Sequence, residues 1–143
     1  MENFKEYIEK LRLSGLRPTR QRIMISKLLF GKSKETLHFT IEDLRKMVEK
    51  NLNHTISLAT LYNTIHAFKK KGYVKEIALE GNKTYYDTNT SMHHHFYDED
   101  TEELIDIRDS QISIHNIPDI PSGKSIKGVE VMVRVANNNH SQK

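Results

Sequence analysis

Residues Ser57–Gly72, SLATLYNTIHAFKKKG, constrain the fold of this chain more than any other stretch, because of what stands on either side of them. Leu58, Leu61, Ile65 and Phe68 recur at spacings of three, four and three, which places one apolar stripe along a helix. Ser57 suits an N-cap and Gly72 the position just past the helix end. The opposite face carries Ala59, Thr60, Asn63 and Ala67, with Tyr62 at its border and Lys69, Lys70 and Lys71 at its close. Upstream, Thr40-Ile41-Glu42-Asp43 reads as a capping box for a helix carrying Leu44, Met47 and Val48. Only the short joint Asn51–Ile56 separates the two helices. Downstream, Tyr73–Leu79 and Lys83–Thr88 are rich in β-formers and flank the turn Glu80-Gly81-Asn82. That order of elements is a helix-turn-helix followed by a wing.

The small, polar outer face of the second helix can enter a major groove and meet base edges and phosphates. Taken alone it would equally be a solvated surface. The segment ahead of it adds cations. Residues 2–14 read as a helix with Phe4, Ile8 and Leu11 on one face. GLRPTRQR (Gly15–Arg22) then sets Arg17, Arg20 and Arg22 at the entrance to another helix, buried through Ile25, Leu28 and Leu29. Arginines so placed can reach phosphates or a narrow minor groove, or simply aid solubility. Residues 1–86 hold 17 basic and 9 acidic side chains, a net of +8, whereas residues 87–143 hold 5 and 10, a net of −5. Only the first half is therefore expected to approach a polyanion.

The second half begins at a small-polar run, Thr88–Ser91, read as a linker. Leu104–Ile107 reads as a strand, Ile112, Ile114 and Ile117 as a second, and the alternation of Val129, Val131, Val133 and Val135 as a third. Three strands in so short a segment bury too little surface alone, so dimerisation is expected to complete the core. The expected organisation is a DNA-binding domain over 1–87, a histidine-bearing linker over 88–95, a dimerisation and sensing domain over 96–136 and a frayed tail over 137–143. The chain has no cysteine, which excludes disulfides and thiolate metal sites. No run approaches eighteen apolar residues, and the acidic, amphipathic start is unlike a signal peptide. A cytoplasmic setting without membrane contact is expected.

His93, His94 and His95 are consecutive. In an extended segment His93 and His95 share a side and can chelate one ion, while His94 faces elsewhere. Imidazole suits divalent iron, zinc or manganese, and haem iron as an axial ligand. His38, Asp87 and Asp106 can complete a mixed nitrogen and oxygen set. A polar linker would explain the same histidines. No nucleophile elbow, P-loop or H-E-x-x-H spacing is present, so an enzyme is not expected, although the acidic Asp98–Asp100 beside histidines also suits a metal hydrolase or a metal-delivery protein that does not read DNA.

GLRPTRQR, HFTIEDL from His38, SLATLYNTI, EGNKTYYDT and MHHHFYDEDTEELIDI occur in one order. Together they resemble the ferric uptake regulator superfamily over most of residues 10–107. SLATLYNT, DTNTS and HHHF with its acidic sequel are most similar to the iron response regulator branch. The resemblance implies an α/β (α+β) chain: an N-terminal winged helix-turn-helix domain and a small C-terminal α/β dimerisation domain dominated by a three-stranded sheet. It implies an operator-binding homodimer or higher oligomer controlling haem-synthesis and iron-homeostasis genes. Ser57–Lys71 would be the reading helix, with Ser57, Thr60, Tyr62, Asn63 and Lys69 toward DNA and Arg17 and Arg20 at the backbone or minor groove. His38, Asp87, His93 and His95, with Asp106, would hold a regulatory metal. Haem would involve His93, His94 and His95, and a haem-making enzyme is an implied partner. A regulator sensing iron, manganese or zinc without haem is the alternative. The chain departs from the pattern in lacking the cysteine pairs of the structural zinc site, so no such zinc is expected. Val129 stands where a distal histidine is usual, and no cysteine-proline haem motif is present.

Overall fold

A computed structural model of the chain describes residues 4–31, 35–53, 55–81 and 83–138. The chain divides into two compact units, Met1–Thr90 and Ser91–Lys143. The first runs α1 (Phe4–Leu13), α2 (Arg20–Phe30), β1 (His38–Phe39), α3 (Ile41–Leu52), α4 (Leu58–Lys70), β2 (Lys75–Ala78) and β3 (Thr84–Asp87). It is a winged helix-turn-helix, with α3 and α4 as the helix pair and β2–β3 as the wing.

Local chemistry sets the helix starts. Thr19 caps α2 by accepting the Arg22 N–H at 3.2 Å. Thr40 and Asp43 cap α3 reciprocally, each side chain accepting the other's backbone N–H at 3.0 Å. Ser57 accepts the Thr60 N–H at 3.2 Å and opens α4. At the far end of α4, Gly72 takes a left-handed conformation (φ 78°). The Tyr73 N–H then reaches the Phe68 carbonyl and the Gly72 N–H the Lys69 carbonyl, both 6→1 and 5→2 bonds of a Schellman cap. The rings of Phe68 and Tyr73 pack edge-on at 6.1 Å and supply its apolar contact.

One core joins all four helices. Leu11, Ile25, Leu28, Leu29, Leu44, Val48, Leu61, Ile65 and Phe68 are buried in it, together with Phe39, Ile56, Val74 and Tyr86. Three residues of the expected apolar faces lie outside it, Leu58, Phe4 and the half-buried Ile8. Leu58, in the first turn of α4, is exposed, and Thr64 is buried instead. Phe4 is exposed at the start of α1, where Tyr7 takes the inward position.

The wing sheet is antiparallel in the order β1-β3-β2, with Lys75 opposite Asp87 and Ala78 opposite Thr84. Its third strand, β1, is only two residues long and carries no periodic signal. It places His38 opposite Asp87 and Phe39 opposite Tyr86. Asn82 of the expected turn lies outside the described residues.

The second unit contains β4 (His93–Asp98), β5 (Glu103–Arg108), a single 3-10 turn (Asp109–Gln111) and β6 (Met132–Val135). The sheet order is β5-β4-β6, with β4 antiparallel to β5 and parallel to β6. Three strands are present, but not the three that alternation picks out. The histidine run expected in a linker forms the start of the central strand. Ile112, Ile114 and Ile117 form no strand: the 3-10 turn diverts the chain, Asn116 adopts φ 60°, and Pro118 has no N–H to give a ladder. The valine alternation becomes regular strand only from Met132, although the Val131 carbonyl already accepts the His95 N–H at 3.1 Å. Of the expected tail, residues 139–143 lie outside the described residues.

Strand alternation gives this sheet two unlike faces. In register, His93, His95 and Tyr97 of β4 lie beside Arg108, Asp106 and Leu104 of β5. His94 and Phe96 lie on the other face, beside Ile107 and Ile105 of β5, with Val133 of β6 opposite Phe96. No helix among the described residues is long and apolar enough to cross a membrane.

Candidate metal centre and nucleic-acid interface

In the first unit, the β1–β3 register brings the His38 Nε2 to 3.2 Å from the Asp87 Oδ2. Asp87 is fully buried, and its Oδ1 accepts the Asn89 N–H at 2.8 Å. That bond fixes the carboxylate without neutralising it. Burial, and then the charge of Glu76, raises the phenol of neighbouring Tyr86, which therefore adds no charge beside the carboxylate.

In the second unit, His93 and His95 present their Nε2 atoms to one oxygen. Each lies 3.3 Å from the Asp106 Oδ1, and the two rings are 4.5 Å apart, edge-on. Both histidines are buried. The His93 Nδ1 lies 2.7 Å from the Ser91 carbonyl, which can only accept, so Nδ1 carries the proton. In the neutral ring Nε2 is then a lone pair, aimed at a carboxylate oxygen. A cation between the two, or a second proton on the ring, brings that nitrogen and the carboxylate into a favourable pairing. A ring that donates its other N–H to a backbone carbonyl is also the usual outer bonding of a metal-ligating histidine.

His94 is wired differently. Its Nδ1 accepts the Val131 N–H at 2.9 Å, and its Nε2 therefore donates to the Asp109 Oδ1, also at 2.9 Å. The buried ring has both nitrogens bonded and no lone pair to offer. Consecutive in sequence, His93, His94 and His95 are thus two candidate donors and one clamp that ties Val131, just ahead of β6, and the 3-10 turn to the central strand. The donors present fit a divalent cation of the iron, manganese or zinc kind: imidazole and carboxylate, with no thiolate in the chain.

On α4, Ala59, Tyr62, Asn63, His66, Lys69 and Lys70 are exposed and share one side of the helix, while Leu61, Thr64, Ile65 and Phe68 are buried. Ser57 and Thr60 cap its start, their hydroxyls 3.0 Å apart. Lys69 pairs with Glu76 of the wing at 2.9 Å, so it reaches a phosphate only by leaving that partner. Arg17 and Arg20 are exposed at the entrance to α2, where the Arg17 carbonyl accepts from the Arg22 guanidinium at 3.2 Å. Sequence reasoning passed over His66. It stands three positions after Asn63, on the same exposed row, and that spacing was the available signal.

Comparisons with known proteins agree with this geometry. A family model described as the ferric uptake regulator family matches residues 13–133. A peroxide-responsive repressor, PerR, of Staphylococcus aureus is 32% identical over 109 residues, 76% of this chain and 71% of the relative. Among solved structures, the ferric uptake regulator of Pseudomonas aeruginosa with manganese superposes with a TM-score of 0.66 at 21% identity, covering 92% of this chain and 97% of that one. The regulator of Vibrio cholerae gives 0.67 at 21% identity, with 92% and 99% covered.

Proposed function

The chain belongs to the ferric uptake regulator family of metal-responsive transcription regulators, and from that premise we propose that it is a cytoplasmic homodimer that grips operator DNA when a divalent ion is bound. Tyr62, Asn63 and Thr60 of α4 read base edges from the N-terminal turns of the helix, as recognition helices do. Ser57, Lys69, Arg17 and Arg20 contact the backbone. Two-fold symmetry makes the operator an inverted repeat.

In this reading His93, His95 and Asp106 of the second unit share one ion with His38 and Asp87 of the first. The ion would supply positive charge to these imidazole and carboxylate groups, and binding it would favour one arrangement of reading helix and dimer core. Only such a preference can change DNA affinity. The observation that carries the proposal is the convergence of the His93 and His95 Nε2 atoms on one oxygen of Asp106, each at 3.3 Å.

Selection of duplexes from a random pool tests it, with manganese(II) as the probe metal. The expected result is enrichment of an inverted repeat that is bound at least tenfold more tightly with manganese than with chelator, and lost in His93→Ala. Absence of enrichment, or enrichment indifferent to both metal and His93, overturns the proposal.

Finer readings rest on motifs. SLATLYNT and HHHF with its acidic sequel support membership of the iron response branch, haem as a second effector, haem-synthesis and iron-homeostasis genes as targets, and a haem-making enzyme as partner. Because both His94 nitrogens are engaged, haem would enter through His93 or His95 and displace the metal. A Soret shift abolished by His93→Ala/His95→Ala but not by His94→Gln is expected. The peroxide-responsive relative favours a further input. With iron(II) in the site, peroxide is expected to release DNA, and with manganese(II) it is not.

A further inference from the structure

The second unit leaves two apolar surfaces uncovered. One is the row Phe96, Ile105 and Val133, in register across all three strands and 38%, 51% and 37% exposed. The other lies in residues 112–131, which form no helix or strand. There Ile117-Pro118-Asp119-Ile120-Pro121 repeats isoleucine and proline every three residues, with Ile117 and Ile120 about half exposed. A residue before proline is held extended, and a three-residue repeat in an extended polyproline helix keeps both isoleucines on one side. The missing proline N–H groups prevent this strap from joining a sheet edge as a strand. A preformed strap of this kind docks on aromatic-bearing apolar surfaces.

We infer that in the dimer the Ile117–Pro121 strap of each copy lies across the Phe96, Ile105 and Val133 row of the other. The occupant is a second copy because the strap and the row are both uncovered within one unit, so the chain carries both halves of the contact. A two-fold axis satisfies both rows at once. The inference rests on the dimeric reading above and specifies how the dimer is held.

The absence of natural cysteine makes the test clean. Full-length Ile117→Cys and a size-tagged Ile105→Cys are prepared separately, mixed and oxidised, so that any disulfide is intermolecular. The expected product is the mixed disulfide in clear excess over either homodisulfide. Ile117→Ser/Ile120→Ser, at exposed positions, is expected to weaken the dimer at least tenfold by sedimentation, with unchanged circular dichroism. A dimer of unaltered affinity in that variant, or predominance of the Ile105→Cys homodisulfide, overturns the strap and leaves the dimer standing. A wild-type chain that sediments as a monomer at micromolar concentration overturns both.

Discussion

Asp87→Asn separates a structural carboxylate from a metal-binding one. The side chain is fully buried, its Oδ1 holds the Asn89 N–H at 2.8 Å, and its Oδ2 faces the His38 ring at 3.2 Å. Asparagine keeps the shape and the bond to Asn89 but removes the charge. Without metal, relieving a buried carboxylate of its desolvation is neutral or stabilising, so apo stability should not fall. With metal, loss of a charged ligand weakens binding by more than an outer-sphere change does, which is about 10- to 100-fold. Taking a hundredfold, metal at 100 times the wild-type dissociation constant stabilises wild type by about 2.7 kcal/mol and the variant by about 0.4 kcal/mol. At roughly 3 °C per kcal/mol, the manganese-induced rise in Tm is about 8 °C in wild type and about 1 °C in Asp87→Asn. Differential scanning calorimetry with and without manganese(II) reads both numbers. A variant with lowered apo Tm and a full metal-induced rise would refute the reasoning, because Asp87 would then be a framework residue.

Other outcomes follow from the first unit. Tyr62→Ala and His66→Ala should each weaken operator binding by about 1–3 kcal/mol in fluorescence anisotropy without moving Tm, since both side chains are exposed on α4. Phe68→Ala should destabilise by about 3–5 kcal/mol in urea unfolding, because the ring is fully buried and anchors both the core and the cap of α4. Gly72→Ala should cost about 1–2 kcal/mol in the same assay: nothing lies near the new Cβ, but φ 78° remains unfavourable for any L side chain.

Much of the first unit was legible in its residues. Capping chemistry is local, so Thr40 with Asp43, Ser57 and Gly72 announce their helix ends regardless of what packs above them. The core of α2 and α4 follows because helical periodicity spans several turns. What periodicity missed was made by pairing. β1 has two residues, too few for any pattern, yet it is what lays His38 beside Asp87. The strand status of His93–Asp98 was hidden because an apolar-polar alternation cannot be seen where three histidines stand together. Conversely, Ile112, Ile114 and Ile117 alternate like a strand but lack partners, since Asn116 and Pro118 break the ladder that alternation presupposes. Which of the three histidines lacks a lone pair depends on Val131 and Asp109, 37 and 15 positions away, and no spacing rule reaches them.

The two-sidedness of β4 restricts how this segment can change. His93 and His95, the candidate ion donors, lie on one face, and the His94 clamp and apolar Phe96 on the other, all within six consecutive residues. Inserting or deleting a single residue near Phe96 would shift the downstream part of the strand by one position, exchanging its inward and outward sets. Substitutions can alter one face at a time, but a length change would disturb both together. Natural length variation should therefore concentrate at the Glu99–Glu102 turn, where the strand has already ended.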